Sequence, residues 1–119
     1  MLKHKLISHT EFLIMVHELA NKIKESEIKF SSLFGVPRGG LVVAVYLSHL
    51  LDIPVTIHSI DDETLIVDDI SDTGKTLSGF KHENYIATLH YKKGSIVEPA
   101  FWVRKKKDKW IVYPWEIKT

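Results

Sequence analysis

Three acidic residues and a turn rich in hydroxyl side chains lie together near the middle of the chain. Asp68 and Asp69 follow the apolar segment "TLIV", and Asp72 comes three residues later. The turn at 73–76 reads Thr-Gly-Lys-Thr. Carboxylates accept hydrogen bonds from hydroxyl groups, and the backbone N–H groups of a turn that opens a helix bind anions. The segment 64–76 therefore indicates a ligand with both vicinal hydroxyls and a phosphate, such as a sugar phosphate.

Each residue of the turn suits a phosphate in its own way. Thr73 and Thr76 supply hydroxyl donors, and Gly74 lets the backbone approach the ligand closely. A metal ion would bridge one of the acids to a second, more highly charged phosphate group. The pair Gly74-Lys75 is not part of a nucleoside triphosphate-binding loop, because that motif requires glycine at position 69, where this chain has aspartate.

Length and composition narrow the class of protein. The 119 residues predict one compact domain, 1–119, with 45% hydrophobic residues and a net charge of +1. This charge gives no reason to expect bulk binding of nucleic acid or of membranes. Cysteine is absent, which excludes disulfides, thiolate catalysis and cysteine-ligated metals. The longest apolar run, 41–46, is too short to span a bilayer, and the N-terminus lacks a signal-peptide pattern, so we expect a cytoplasmic protein.

Local patterns predict alternating helices and strands. Ser8 and Glu11 form an S-x-x-E capping box before apolar residues at helical spacing, and this helix should end within 22–27. A second helix, apolar nearly all round and therefore buried, is expected at 41–51, and a short one within 74–80. Strands are predicted at 29–36, 55–60, 64–67, 84–91, 99–104 and 110–115, with "DDE" as the turn before 64 and "KKKDK" as the turn before 110.

This alternation predicts an α/β fold with a mostly parallel sheet flanked by helices. Ligands of such sheets bind outside the carboxyl ends of the strands. The loops "VPRGG" at 36–40 and "DDISDTGKT" at 68–76 both follow predicted strands. They are expected to form the site together.

These two loops resemble the motifs of the type I phosphoribosyltransferases, which bind 5-phosphoribosyl-1-pyrophosphate (PRPP) with Mg²⁺. The strand followed by Asp68-Asp69 and then by 72–76 is similar to the family's signature loop, although Ser71 stands where an apolar residue is usual. The segment 35–40, "GVPRGG", resembles the family's pyrophosphate loop. The resemblance implies a pyrophosphate contact for Arg38, through its fixed fork of donors, and for Gly39.

For the signature loop, the resemblance implies PRPP contacts by all three acids and by the turn. Asp68 and Asp69 would hold the ribose, with Asp69 also meeting the metal. The phosphate would lie against the residues Thr73, Gly74, Lys75 and Thr76.

The C-terminal segments "TLHYKKG" and "KWIVYPWE" resemble the small base-binding region of bacterial and archaeal xanthine-guanine phosphoribosyltransferases. On that comparison Trp110 stacks on the purine, and Ile111 offers its backbone carbonyl to the ring edge. Lys92 faces the exocyclic oxygen at position 6, with Lys93 as the alternative. Asp72 lies near N7 of the base.

The resemblance implies displacement of pyrophosphate from PRPP by a 6-oxopurine, which yields GMP, XMP or IMP. Asp68 and Asp69 would suit the positive charge that develops on the ribose, while Mg²⁺ and Arg38 would stabilise the leaving pyrophosphate. Asp72 is the candidate general base. The family's habit also implies a homodimer or homotetramer, in which Trp102 and Trp115 are candidates for the interface.

One departure leaves alternatives open. Family members usually insert a long flexible segment before the signature strand, often with a basic residue that meets the pyrophosphate. Here only "DDE" separates the predicted strands at 55–60 and 64–67. This shortening is consistent with an enzyme that is weakly active or relies on another chain. It is also consistent with a non-catalytic PRPP- or nucleotide-binding module, and the base itself could be different.

Overall fold

The computed structural model describes residues 3–116, which form six strands, two α-helices and one short 3₁₀ helix. In chain order the α-helices are α1 (His9–Glu25) and α2 (Gly39–Leu51), and the 3₁₀ helix is Leu77–Gly79. The strands are β1 (His4–Leu6), β2 (Ser32–Gly35), β3 (Thr64–Ser71), β4 (Ile86–Tyr91), β5 (Arg104–Lys105) and β6 (Trp110–Val112). No helix within this range is long and apolar enough to cross a membrane.

The main sheet is parallel throughout, with strand order β2-β3-β4-β5. Single bridges extend it, because Val55 pairs with Leu33 at one edge and Phe101 pairs with Ala87 towards the other. The predicted α/β class with a mostly parallel sheet is therefore confirmed. All four strands direct their carboxyl ends to one edge of the sheet, which is where ligands bind in such folds.

Both α-helices lie on the same face of the main sheet. Alternate side chains of β3, such as Leu65 and Val67, point into the large core beneath α1 and α2. Ile66 points to the opposite face, where a smaller core forms. Leu77 of the 3₁₀ helix and the loop residue Val97 cover that second face in place of a long helix. The loops around the signature segment therefore also complete the packing of the sheet.

The helix predictions differ in how closely they fit. The first helix begins as its capping box predicts, because Ser8 Oγ accepts a hydrogen bond of 3.0 Å from the N–H of Glu11. The second helix begins two residues earlier than expected and includes both glycines of "PRGG". It is also buried on one side only, since Val45 is 47% exposed while Val43 and Leu47 are fully buried.

The predicted strand at 55–60 is wrong, and the signature strand is longer than predicted. Within that segment only Val55 forms a bridge to the sheet, opposite Leu33 of β2, and the N–H of Thr56 donates to the carbonyl of Leu33 at 2.8 Å. Strand β3 continues to Ser71, since Asp68 pairs with Thr88 and Ser71 pairs with Tyr91 of β4. Backbone pairing thus carries the strand beyond the point where its apolar pattern stops.

The predicted C-terminal hairpin is also wrong. Strand β5 lies parallel to β4 in the main sheet, whereas β6 pairs in parallel with β1 to form a separate two-stranded sheet. The segment 106–109 therefore crosses from one sheet to the other instead of turning back. The small region expected at the C-terminus is built from both ends of the chain.

Candidate active site

A cavity of about 690 Å³ lies at the carboxyl ends of the main-sheet strands. It brings together residues from loops and strands far apart in sequence. Six of the residues predicted for the site line this cavity, namely Arg38, Gly39, Asp69, Asp72, Trp110 and Ile111. The pyrophosphate loop, the signature strand and the C-terminal segment therefore meet as the sequence motifs predict.

The two adjacent acids lie within β3 and interact directly. Asp68 Oδ1 accepts a hydrogen bond of 2.8 Å from the N–H of Asp69. Burial, together with the neighbouring charge of Asp69, raises the pKa of Asp68 to about 8. Burial is also the main cause that raises the pKa of Asp69, to which the nearby Glu116 carboxylate contributes. The pair therefore favours any ligand that brings positive charge or hydrogen-bond donors to it.

The pyrophosphate loop lies directly against the signature strand. Arg38 precedes α2 with its side chain exposed, and the Pro37–Arg38 peptide bond is cis. A Cβ atom at Gly39 would overlap the carboxylate of Asp69 and lie 3.2 Å from Nε1 of Trp115. Glycine is therefore required for the loop to approach Asp69 this closely.

The turn at 73–76 lies beside the cavity, not in its wall. Gly74 adopts φ = 86°, and a Cβ there would lie 2.6 Å from Ser95 Oγ. Within residues 3–116 the backbone N–H groups of Thr73, Gly74 and Thr76 have no protein acceptor, whereas that of Lys75 donates to Thr73 Oγ1 at 3.3 Å. The following 3₁₀ helix has only three residues. Anion binding here would therefore depend on these amides, not on the expected helix dipole.

Ser71, which departs from the family pattern, has a structural role. Its buried hydroxyl donates to the carbonyl of Val97 at 2.7 Å and lies 2.8 Å from Ser95 Oγ. A buried polar side chain is tolerated when it is hydrogen-bonded in this way. The substitution thus ties the end of the signature strand to the loop after β4.

Two lysines approach the carboxylate of Asp72, and only one of them was predicted. Lys92 Nζ lies 3.8 Å from Oδ1, with its side chain 52% exposed. Lys106 Nζ lies 3.0 Å from Oδ2, and its side chain is only 9% exposed. Among the described residues, Lys106 lines the cavity while Lys92 and Lys93 do not. Oδ1 of Asp72 is buried and has no hydrogen-bond partner in the described chain.

The C-terminal strand presents an aromatic side chain and a backbone edge to the cavity. The Trp110 side chain is 52% exposed, and Lys106 Nζ lies 5.1 Å from its ring centroid. The N–H of Trp110 donates a hydrogen bond to the carbonyl of Lys3, and the carbonyl of Val112 accepts one from the N–H of Ile7. Both groups therefore point towards β1. Because successive peptide groups of a strand alternate in direction, the carbonyl of Ile111 points away from β1.

Tyr113 and His90 support the backbone of the acidic pair, a role that the sequence did not predict for either residue. The Tyr113 hydroxyl donates to the carbonyl of Asp69 at 3.1 Å and lies 2.8 Å from His90 Nδ1. A hydroxyl has one proton, so Nδ1 of His90 acts as the donor in the second bond. Burial lowers the pKa of His90 to about 4 and raises that of Tyr113, so both are neutral near pH 7.

Two further cavity residues, Trp115 and Glu116, also escaped prediction as site residues. Trp115 stacks on Tyr113 with ring centroids 4.9 Å apart and packs edge-on against Phe12 at 5.1 Å. The expected interface residue Trp102 likewise packs within the chain, because its ring lies 5.4 Å from that of Tyr91. Their aromatic character was visible in the sequence, but their partners were not.

The donor set suits a metal ion that arrives with its substrate. No group of three or more His, Cys, Asp or Glu side chains within 3–116 could hold a metal. Mg²⁺ is commonly held by one or two carboxylates together with substrate phosphates, which matches the pair Asp68 and Asp69. The raised pKa values of this pair show that negative charge is unfavourable there without a cation. The residues present therefore fit Mg²⁺ that is bound jointly with a phosphorylated ligand.

Comparison with known proteins identifies the family. No protein-family model and no curated protein matches the chain. Among solved structures, the purine phosphoribosyltransferase from Pyrococcus horikoshii OT3 is 33% identical, with a TM-score of 0.86 over 99% of this chain and 97% of that chain.

Two more distant structures share the fold. The xanthine-guanine-hypoxanthine phosphoribosyltransferase of Helicobacter pylori is 23% identical, with a TM-score of 0.81 over 96% of this chain and 94% of that chain. A hypothetical protein from Neisseria gonorrhoeae, solved with bound ppGpp, is 21% identical, with a TM-score of 0.84 over 98% and 91%. From the 33% identity along nearly the whole chain, we conclude that this protein belongs to the type I phosphoribosyltransferase family of glycosyltransferases.

Proposed function

We propose that the protein is a purine phosphoribosyltransferase that joins a 6-oxopurine to PRPP, yielding a nucleoside monophosphate and pyrophosphate. The observation that carries this proposal is the single cavity shared by the pyrophosphate loop, the acidic strand and the C-terminal aromatic segment. The contact between Gly39 and the Asp69 carboxylate supports the same arrangement. The Pyrococcus protein, at 33% identity, is also named a purine phosphoribosyltransferase.

In this proposal the ribose and pyrophosphate of PRPP bind at the carboxyl ends of β2 and β3. Asp68 and Asp69 accept hydrogen bonds from the vicinal hydroxyls and favour the positive charge that develops on the ring. Arg38, whose side chain is exposed at the cavity, donates to the leaving pyrophosphate. Asp69 would hold Mg²⁺ together with PRPP, and the ion would supply charge neutralisation of the phosphate oxygens.

The 5′-phosphate binds in the turn Thr73-Gly74-Lys75-Thr76. The unused N–H groups of Thr73, Gly74 and Thr76 are donors that an anion would satisfy. Lys75 adds positive charge, and the exposed threonine hydroxyls add further donors. The turn lies next to the cavity, so a ribose on the acidic pair would extend its phosphate towards it.

The purine binds against the C-terminal segment. Trp110 offers an exposed ring face for stacking, and Ile111 offers its carbonyl to the edge of the base. Asp72, which lines the cavity, accepts the proton that the attacking ring system loses. The predicted contacts of Lys92 and of its alternative, Lys93, with the base remain predictions.

The decisive experiment incubates the protein with PRPP, Mg²⁺ and one base at a time, and follows conversion of the base by absorbance. Guanine, xanthine and hypoxanthine are expected to be converted, and adenine should react much more slowly. Asp69→Asn serves as the inactive control. Preferred turnover of adenine or of a pyrimidine would overturn the 6-oxopurine assignment.

One observation favours a second candidate, a non-catalytic PRPP- or nucleotide-binding module. The connection between α2 and β3, residues 52–63, contains no lysine or arginine and is too short for the long closing segment usual in the family. Such a segment excludes water during reaction. Measurable binding of PRPP without turnover of any base would support this candidate over the enzyme.

Further features of the proposed enzyme remain predictions. Chain length predicts one domain over 1–119, and the absence of a signal-peptide pattern predicts a cytoplasmic location. The family resemblance predicts association into a homodimer or homotetramer. Light scattering coupled to size-exclusion chromatography would measure the oligomeric state. A monomer at all concentrations would contradict the predicted association.

A further inference from the structure

We propose that Ser71 is a positioning residue for phosphate binding, because together with Ser95 it fixes the loop 95–97 behind the turn at 73–76. The anchored loop holds the backbone N–H groups of the turn in place for the 5′-phosphate. This inference rests on the proposed function, in which that turn binds the phosphate. It assigns a role in ligand binding to a serine that stands where the family usually has an apolar residue.

The main sheet holds Ser71 at the carboxyl end of β3. The residue is only 1% exposed and pairs with Tyr91 of β4. Its carbonyl accepts a hydrogen bond of 2.9 Å from the N–H of Lys92, which directly follows β4. Ser71 is therefore a rigid attachment point only two residues before the turn begins.

The hydroxyl of Ser71 belongs to a closed set of hydrogen bonds with the loop 95–97. It has one proton, which it donates to the carbonyl of Val97 at 2.7 Å, so Ser95 is the donor in the 2.8 Å contact between the two hydroxyls. Ser95 Oγ in turn accepts a hydrogen bond of 3.2 Å from the N–H of Val97. Each hydroxyl thus both donates and accepts, and removal of either one leaves its partner without a hydrogen bond.

The same loop packs directly against one side of the turn. The N–H of Ile96 donates to the carbonyl of Thr73 at 3.1 Å. A Cβ atom at Gly74 would lie only 2.6 Å from Ser95 Oγ, so no free space remains between the loop and the turn. Gly74 is accordingly buried, whereas the other three residues of the turn are exposed.

This packing leaves the donors of the turn available on its other side. Within residues 3–116 the N–H groups of Thr73, Gly74 and Thr76 have no protein acceptor. A phosphate binds best when such groups are already ordered, because ordering a mobile segment on binding costs conformational entropy. Only a three-residue 3₁₀ helix follows the turn, so the anchored loop is the main element that can order it.

The test compares ligands with and without a phosphate. Calorimetric titration of the full chain gives the dissociation constants of GMP and guanosine, and their ratio isolates the contribution of the phosphate. Ser71→Ala should lower the affinity for GMP by about 3- to 10-fold, the net effect expected from loss of one hydrogen bond. The affinity for guanosine should stay within about twofold of wild type, because the serine lies outside the cavity wall.

A matched control separates this role from a general effect on stability. Ser32 Oγ lies 2.9 Å from Thr64 Oγ1 at the opposite end of the same sheet, so Ser32→Ala also removes a contact between two hydroxyls. It should leave the ratio of GMP to guanosine affinity unchanged. Ser71→Thr retains the hydroxyl and should keep most of the phosphate affinity.

A second variant tests the hydrogen-bonded pair. Ser95→Ala, at a half-buried position, should reproduce the effect of Ser71→Ala and provides the same test if that variant does not fold. The double variant should bind GMP within about twofold of either single variant, because the two hydroxyls act as one unit. Fully additive losses would show that the two serines act independently and would contradict the proposed anchor.

Amide NMR signals distinguish failure of this inference from failure of the proposed function. In wild type, GMP but not guanosine should shift the signals of Thr73, Gly74 and Thr76. If it does, an unchanged affinity ratio in Ser71→Ala, or an equal loss of affinity for GMP and guanosine, overturns the role of Ser71 and leaves the proposed function standing. GMP that fails to bind, or that binds without shifting these signals, would overturn the proposed phosphate site and this inference together.

Discussion

Replacing Asp68 by asparagine should stabilise the free protein while it weakens PRPP binding. The pKa of this carboxyl is about 8 in the folded chain, compared with 3.8 for an ordinary aspartate. Each pKa unit corresponds to about 1.4 kcal/mol, so at about pH 7.5 the unfavourable environment amounts to at most about 5 kcal/mol. Partial exposure and entry of water reduce this value, and we expect Asp68→Asn to raise the free energy of unfolding by about 2 kcal/mol.

The pH dependence has a defined sign. Because the folded-state pKa of Asp68 is raised, the folded chain binds this proton more tightly than the unfolded chain does. The carboxyl therefore stabilises the protein most at low pH, and the stabilisation is lost as pH rises through about 8. The advantage of the variant over wild type should accordingly grow from about pH 4 to about pH 8 and stay constant above that.

Urea unfolding followed by tryptophan fluorescence at several pH values measures this difference. Asp68→Asn retains the oxygen that accepts the N–H of Asp69, so the local hydrogen bond is preserved. Asp108→Asn, a change at an exposed acid, is the matched control and should have little effect. An Asp68→Asn protein that is no more stable than wild type, or whose advantage does not depend on pH, would refute the reasoning.

Three further predictions test other parts of the site. Asp69→Asn should lower the affinity for PRPP in the presence of Mg²⁺ with little change in its absence, as measured by calorimetry; equal affinity under both conditions would remove this residue from the metal site. Trp110→Ala should weaken nucleoside monophosphate binding by about 1–3 kcal/mol if the indole stacks on the base, and unchanged affinity would exclude stacking. The low pKa of His90, about 4 compared with 6.5, means that its stabilising neutral form is present above about pH 6.5 and lost as pH falls towards 4. Wild type should therefore lose up to about 3 kcal/mol over that interval relative to His90→Asn, and parallel unfolding profiles would contradict this.

The contacts of Tyr113 and His90 explain why the prediction for His90 can be tested separately from those for Asp68 and Asp69. Tyr113 holds the backbone of Asp69, not its carboxylate, and His90 holds Tyr113 in turn. Protonation of His90 therefore acts on stability through the core. By contrast, a change at Asp68 or Asp69 acts on the acidic pair that we propose binds the ribose.

The two motif segments of the candidate site were predictable because their residues are local in sequence. The acids Asp68, Asp69 and Asp72 lie within five residues of one another, and "PRGG" is a continuous segment. In a parallel sheet, segments that follow strands lie at one edge. The residues Arg38 and Asp69 could therefore be placed together before any coordinates existed. The capping box at Ser8 and the helical spacing after it were predictable for the same reason.

Only the tertiary structure decided which strands pair and which side chains the cavity buries. The pairing of β1 with β6 joins the two ends of the chain, and the parallel pairing of β5 with β4 excludes the expected hairpin. Lys106 and Asp72 are 34 residues apart, and their contact depends on that pairing. No local pattern distinguishes this lysine from its exposed neighbours, because burial is a property of the assembled chain. The sequence thus determined the two motif segments of the cavity, whereas non-local strand pairing determined the rest of the pocket.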